Sequence, residues 1–231
     1  MRLHRPFCLM AAAALVLSSC GNTSEKTTAG SEQDTACSEI KRESIEWLDI
    51  WAPHTNDTGL PRVLLLGHSI TRLYGPSVDN RLEGKAFVTR VATSKSLGDP
   101  AYLDEVALIL SQYDFDIIHV SNGAHGWDYT IEEYSAALGQ LYAKLKEMAP
   151  DAKLIWATNP PMADKEMYRI TLERNESIRA FLAGKDIQID DSFAVLDGKD
   201  EYYEGTDGVH PNAQGVEALA EVVSEMILES L

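Results

Sequence analysis

What most constrains the fold of this chain is a series of short, unbroken apolar runs separated by helical stripes. Arg62-Val63-Leu64-Leu65-Leu66-Gly67 is the clearest run. Ala86 to Ala92, Phe115 to Ser121, Lys153 to Thr158 and a weaker Ile187 to Asp190 follow it. A strand with one wet face alternates apolar and polar residues. Continuous runs read instead as strands covered on both faces, the condition of a parallel sheet.

The intervening stretches have helical period. Thr130-Ile131-Glu132-Glu133 has capping-box spacing. Ile131, Tyr134, Leu138, Leu141, Tyr142, Leu145 and Met148 then form a 3.6-residue stripe that stops before Pro150. Asp99-Pro100 opens another helix, with Leu103, Val106, Ala107 and Leu110 on one face. Residues 165–183 and 213–229 carry similar stripes, and a further helix is expected around 39–50. Strands alternating with helices predict the α/β class, a three-layer α/β/α sandwich over a five-stranded parallel sheet. In such sheets the functional residues gather at the carboxyl ends of the strands.

The 231 residues suffice for one sizeable core. The first residues stand apart from it. Arg2, His4 and Arg5 give a basic start, and residues 7–17 form an apolar run too short to span a bilayer as a helix. The run ends in Leu17-Ser18-Ser19-Cys20, which resembles a bacterial lipobox. That resemblance implies a signal peptide over 1–19 and lipidation of Cys20; an ordinary signal peptide that happens to contain a cysteine is the alternative. Residues 20–37 are small and polar and read as a flexible tether, with 38–231 as a single domain. With Cys8 removed and Cys20 lipidated, Cys37 stands alone and no intrachain disulfide is expected. The chain is thus expected to be exported and lipid-anchored at the cell envelope, on its periplasmic or outer surface. A formal charge of −16 argues against a nucleic-acid partner.

Two polar motifs border predicted strands or helices. Gly67-His68-Ser69-Ile70-Thr71 follows the first run. Gly67 permits a sharp turn, leaving Ser69 at a strand-to-helix junction with its hydroxyl exposed and its N–H at the positive end of a helix. Serine at such a junction is also a common N-cap. Asp207-Gly208-Val209-His210-Pro211 precedes the last helix. An aspartate three residues before a histidine can fold back onto the imidazole, fixing its tautomer and freeing the other nitrogen as a base. The plainer alternative is a loop histidine beside a capping aspartate. No histidine or carboxylate cluster completes a convincing metal site, so no metal is expected.

Taken together, a serine after the first strand and an Asp-x-x-His before the last helix resemble the GDSL/SGNH hydrolase family. The resemblance covers roughly residues 60–231 with the blocks in order. It implies a flavodoxin-like sandwich, ester hydrolysis through an acyl-enzyme, and no cofactor. Ser69 matches the nucleophile, His210 the base and Asp207 its partner. The oxyanion hole would combine the N–H groups of Ser69 and Gly98 with a side chain from Asn122-Gly123-Ala124-His125-Gly126. Aligning the glycines puts His125 where the family has asparagine, and Asn122 is its rival; either side chain has a suitable N–H donor. Some members resemble this Asn-Gly-x-His-Gly arrangement. A second departure is His68, where the family has the aspartate of Gly-Asp-Ser. It is expected to be a satisfied or surface histidine. The α/β-hydrolase fold is excluded: its Gly-x-Ser-x-Gly elbow fails at Thr71, and its aspartate and histidine lie far apart.

Weaker candidates surround these. Trp127 and Tyr129 could stack on a sugar or cover the core. Asn159 to Met162 is expected to be a rigid loop, and Glu201 to Glu204 a wall of the site or solvated loop. Lys95 and Arg72 could meet an anionic substrate. Envelope context and family likeness together point to deacetylation of an acylated carbohydrate. A short-chain lipid or thioester substrate, or an inactive carbohydrate-binding lipoprotein, are the alternatives.

Overall fold

The structure, a computed structural model, describes residues 40–231. The expected signal peptide, Cys20, the tether and Cys37 lie outside the described residues. Strands β1 (Leu48–Trp51), β2 (Arg62–Gly67), β3 (Phe87–Thr93), β4 (Ile117–Val120), β5 (Lys153–Ala157) and β6 (Gln188–Asp190) form one sheet in the order β1-β3-β2-β4-β5-β6. The pairs from β3 to β6 are parallel, as the apolar runs imply. Helices α1 (Ser69–Arg81), α2 (Pro100–Leu110), α3 (Ile131–Met148), α4 (Lys165–Leu182), α5 (Ser192–Leu196) and α6 (Ala213–Ser230) cover it.

The two faces are filled by opposite residues of the same strand. In β2, Val63 and Leu65 pack in the core that α1, α5 and α6 close, while Leu64 and Leu66 pack in the core of α2, α3 and α4. All four are fully buried. A strand apolar on both faces cannot lie at a wet surface, and β2 is accordingly central. The capping box at Thr130 forms in both directions with Glu133, and Asp99 caps α2 through the N–H of Ala101.

One expectation is corrected. The segment around 39–50 is not a helix, and the sheet has six strands, not five. β1 pairs antiparallel with β3, from Leu48 opposite Thr93 to Trp51 opposite Arg90. Trp47, Ile50 and Trp51 are aromatic and β-branched residues that suit a strand. As an edge strand, β1 is partly exposed and lacks the apolar density of the others.

Before β1, residues 40–47 form an irregular strap over the loops that follow β3 and β4. The Lys41 N–H donates to Tyr129 Oη at 2.9 Å and its Nζ to the Asp128 carbonyl at 2.8 Å. Arg42 Nε donates to Asp99 Oδ2 at 2.9 Å, Glu46 pairs with Lys95, and the Trp47 N–H donates to Ser94 Oγ at 2.8 Å. Among the described residues no helix is long and apolar enough to cross a membrane.

Candidate active site

Ser69 opens α1 at the carboxyl end of β2. The helix is capped by His68, whose Nδ1 accepts the Ile70 N–H at 3.3 Å, so the Ser69 hydroxyl is not spent on capping. Gly67 is required by close approach: a Cβ there would lie 2.1 Å from Thr71 Oγ1 and 2.8 Å from the Ser121 carbonyl. Ser69 Oγ lies 2.7 Å from His210 Nε2, and His210 Nδ1 lies 2.7 Å from Asp207 Oδ2. Asp207 Oδ1 accepts the N–H groups of His210 at 2.8 Å and Val209 at 2.9 Å. The His210 N–H is the largest influence on this carboxyl. With the His210 ring and the Val209 N–H, and against burial, it holds the group at about 2. An ionised Asp207 can only accept, so the His210 proton sits on Nδ1 and the Nε2 lone pair faces the serine hydroxyl.

The loop that carries Asp207 and His210 is pinned by its neighbours. The Ala163 N–H donates to the Gly208 carbonyl at 2.7 Å, and Tyr203 Oη donates to the Pro161 carbonyl at 2.6 Å. The Asn212 N–H donates to the Tyr202 carbonyl at 2.7 Å. Asn159 is buried and exchanges hydrogen bonds with Asn175 of α4, at 2.7 Å to its N–H and 2.9 Å to its carbonyl. Asn159 to Met162 is therefore the rigid loop expected, and Tyr202 and Tyr203 brace the loop that carries Asp207 and His210.

His68 is fully buried, and its Nε2 lies 3.5 Å from Ser121 Oγ. Burial above all, then the nearby His125 and His210, lowers it to about 3. It is a neutral, satisfied capping histidine and not a rim residue. The core also holds a polar pair, His119 Nε2 and Asp190 Oδ2 at 2.8 Å, both fully buried.

The expected oxyanion residues separate. His125 approaches the start of α1, its ring centroid 6.2 Å from that of His68. Asn122 is almost fully buried, and its Nδ2 reaches the Lys95 carbonyl at 3.5 Å. The Gly98 N–H is committed to Ser96 Oγ at 3.2 Å. Gly98 has a packing reason instead, since a Cβ would lie 2.7 Å from the Tyr129 ring. In this geometry the Gly98 N–H and Asn122 Nδ2 are thus directed to Ser96 and Lys95.

Two residues that local spacing does not mark organise the His125 loop. Arg174 of α4 is 1% exposed. Its Nη1 donates to the carbonyls of Gly123 and His125, each at 2.8 Å, and its Nη2 to that of Gly126 at 2.6 Å. The guanidinium also lies over the rings of Trp127 and Tyr134. Gly126 has φ +66, the left-handed region, which lets the chain turn all three carbonyls toward one cation. The second is Glu43 of the strap, whose Oε1 lies 2.8 Å from His125 Nδ1.

The remaining candidates are engaged elsewhere. Tyr129 is buried beneath Gly98 and covers the core, and Trp127 is held under Arg174. Lys95 pairs with Glu46, and Arg72 pairs with Asp49 while lying over Trp47. Among the described residues no three His, Cys, Asp or Glu side chains are grouped to hold a metal ion.

No family model and no curated protein matches the sequence. Solved structures do. A GDSL-like lipase from Bacteroides thetaiotaomicron is similar with a TM-score of 0.56 and 16% identity, over 74% of this chain and 89% of that one. A carbohydrate acetylesterase from Sinorhizobium meliloti gives 0.60 and 14%, over 74% and 100%. The C-terminal catalytic domain of peptidoglycan O-acetyltransferase A from Streptococcus pneumoniae gives 0.58 and 17%, over 74% and 94%. The chain has the α/β/α fold of the GDSL/SGNH hydrolases.

Proposed function

We propose that this chain is a serine ester hydrolase that deacetylates an acylated carbohydrate at the cell envelope, where it is held by lipid on Cys20. The observation that carries the reading is the continuous hydrogen-bonded line from Ser69 Oγ through His210 to Asp207, with 2.7 Å at each step. His210 Nε2 takes the hydroxyl proton as Oγ bonds to the acyl carbon, and Asp207 stabilises the imidazolium. Collapse of the tetrahedral intermediate breaks the bond to the alcohol, which leaves with the proton from His210. A water molecule then repeats the sequence and frees the acid. The oxyanion is received by the Ser69 N–H at the start of α1 and by His125.

Two features support a carbohydrate ester. The side chains of His210 and Asp207 are 37% and 57% exposed, so the reacting centre lies open to a large alcohol. Two of the similar structures are a carbohydrate acetylesterase and a peptidoglycan O-acetyltransferase domain. The test is hydrolysis of p-nitrophenyl esters and acetylated oligosaccharides. Acetyl esters are expected to be cleaved at least about tenfold faster than octanoyl esters, and Ser69→Ala to lower kcat at least about 10³-fold. Wild type as inert as Ser69→Ala on every ester would overturn the reading. The anchor is tested separately: Cys20→Ala should abolish palmitate labelling and release the protein from membranes.

A further inference from the structure

Glu43 and His125, near His68 at the start of α1, repeat the arrangement of Asp207 and His210. The carboxylate-to-Nδ1 distances are 2.8 Å and 2.7 Å. A carboxylate can only accept, so the shared proton sits on His125 Nδ1. The other nitrogen, Nε2, is buried with no hydrogen-bond partner among the described residues. With Nδ1 protonated, Nε2 bears a lone pair in the neutral ring and an N–H only in the imidazolium. A lone pair repels a developing oxyanion, whereas an N–H stabilises it. His125 can therefore receive the oxyanion only as a cation. That is the opposite of what His210 must be to act as a base.

The groups around the ring show where the cation finds support. His68, at the start of α1, is neutral through burial. Trp47 of the strap meets the ring edge-on at 6.4 Å and has no charge. Arg174 of α4 donates to the His125 carbonyl and opposes a second positive charge nearby. Among these groups Glu43 is the one anion, in direct contact with Nδ1 at 2.8 Å.

We propose that Glu43 is a positioning residue for the hydrolysis, fixing the Nδ1–H form of His125 and sustaining the imidazolium whose Nε2–H meets the oxyanion. This rests on the reading of Ser69 as nucleophile. It makes the strap a working part of the site. Nε2 is covered in the free chain, so the ring or its cover shifts when substrate binds, as catalytic contacts commonly tighten only in the complex.

The test compares the full chain with Glu43→Gln, His125→Ala and the double variant. It uses kcat and KM for p-nitrophenyl acetate, with 15N NMR of the imidazoles to read which ring nitrogen carries the proton. Glutamine keeps the shape of Glu43 without its charge. Glu43→Gln is expected to lower kcat about tenfold, with KM within about twofold. The double variant should be no slower than His125→Ala alone. The His125 15N signals should show a protonated Nδ1 in wild type and an altered pattern in Glu43→Gln. Glu43→Gln kinetics and 15N signals that coincide with wild type would overturn the proposal. The NMR measurement needs no turnover. Failure of the Ser69 reading, seen as equal rates for Ser69→Ala and wild type, is thus distinguished from failure of the Glu43–His125 pair.

Discussion

Three imidazoles meet at the start of α1, and each is held differently by what surrounds it. Asp207 orients His210, Glu43 orients His125, and burial keeps His68 neutral. The His68 case has a consequence for stability. In the folded chain it stays neutral down to about 3, whereas the unfolded chain protonates it near the ordinary value of about 6.5. Between those values the unfolded state binds more protons, so stability falls as pH drops through that window. Asparagine at 68 can accept the Ile70 N–H as a cap but does not titrate. His68→Asn is therefore expected to flatten the loss of Tm between about pH 6.5 and about pH 4. Parallel Tm curves for variant and wild type would sink the argument. The same site shows how far a motif can be read. Asp207 and His210 lie three residues apart and Ser69 follows a strand, so local spacing exposes them. Glu43 reaches His125 across 82 residues, and no local spacing encodes that contact.

At the scale of elements, the loop after β4 is built from α4. Arg174 is a buried cation that donates to three backbone carbonyls, and burial lowers its affinity for its proton. Replacing it with methionine keeps the bulk and strips those carbonyls of their donors. Buried acceptors left unpaired cost about 1–3 kcal/mol each. Arg174→Met is expected to destabilise the fold by about 3–5 kcal/mol in urea unfolding and to lower kcat more than tenfold as His125 loses its place. A stable variant with unchanged kcat would show that the loop holds itself. In sequence Arg174 is one more charged residue on a long helix, because a stripe of period 3.6 says which face is apolar and nothing about which polar residue is swallowed. The interior strands were readable for the converse reason: burial on both faces writes continuous apolar runs, as in Val63 to Leu66. β1 is not legible as a strand because an edge strand needs only one partner and half a covering, so its residues carry no such run.

For the whole molecule, the strap joins elements that are otherwise separate. Lys41 ties the loop after β4, Arg42 and Glu46 tie the loop after β3, and Glu43 lies between them on His125. None of these contacts lies in the apolar cores, which are closed by the sheet and six helices. Removing the strap should therefore cost the site more than the fold. Surface ion pairs typically contribute about 0–1 kcal/mol each, and those of the strap reach partners as buried as Asp99, so their loss is expected to cost somewhat more. Oxyanion donors and their supports are worth far more to the rate, about 10²-fold or more when lost. A chain beginning at Ile40 retains every strap contact described, and is expected to hydrolyse p-nitrophenyl acetate at the full-length rate. One beginning at Leu48 keeps β1 but lacks the strap, and is expected to lose at least about tenfold in kcat while Tm falls by only a few degrees. The decisive comparison is kcat against Tm for the two chains. Equal kcat would reduce the strap to packing, whereas a collapse of Tm in step with kcat would make it part of the fold.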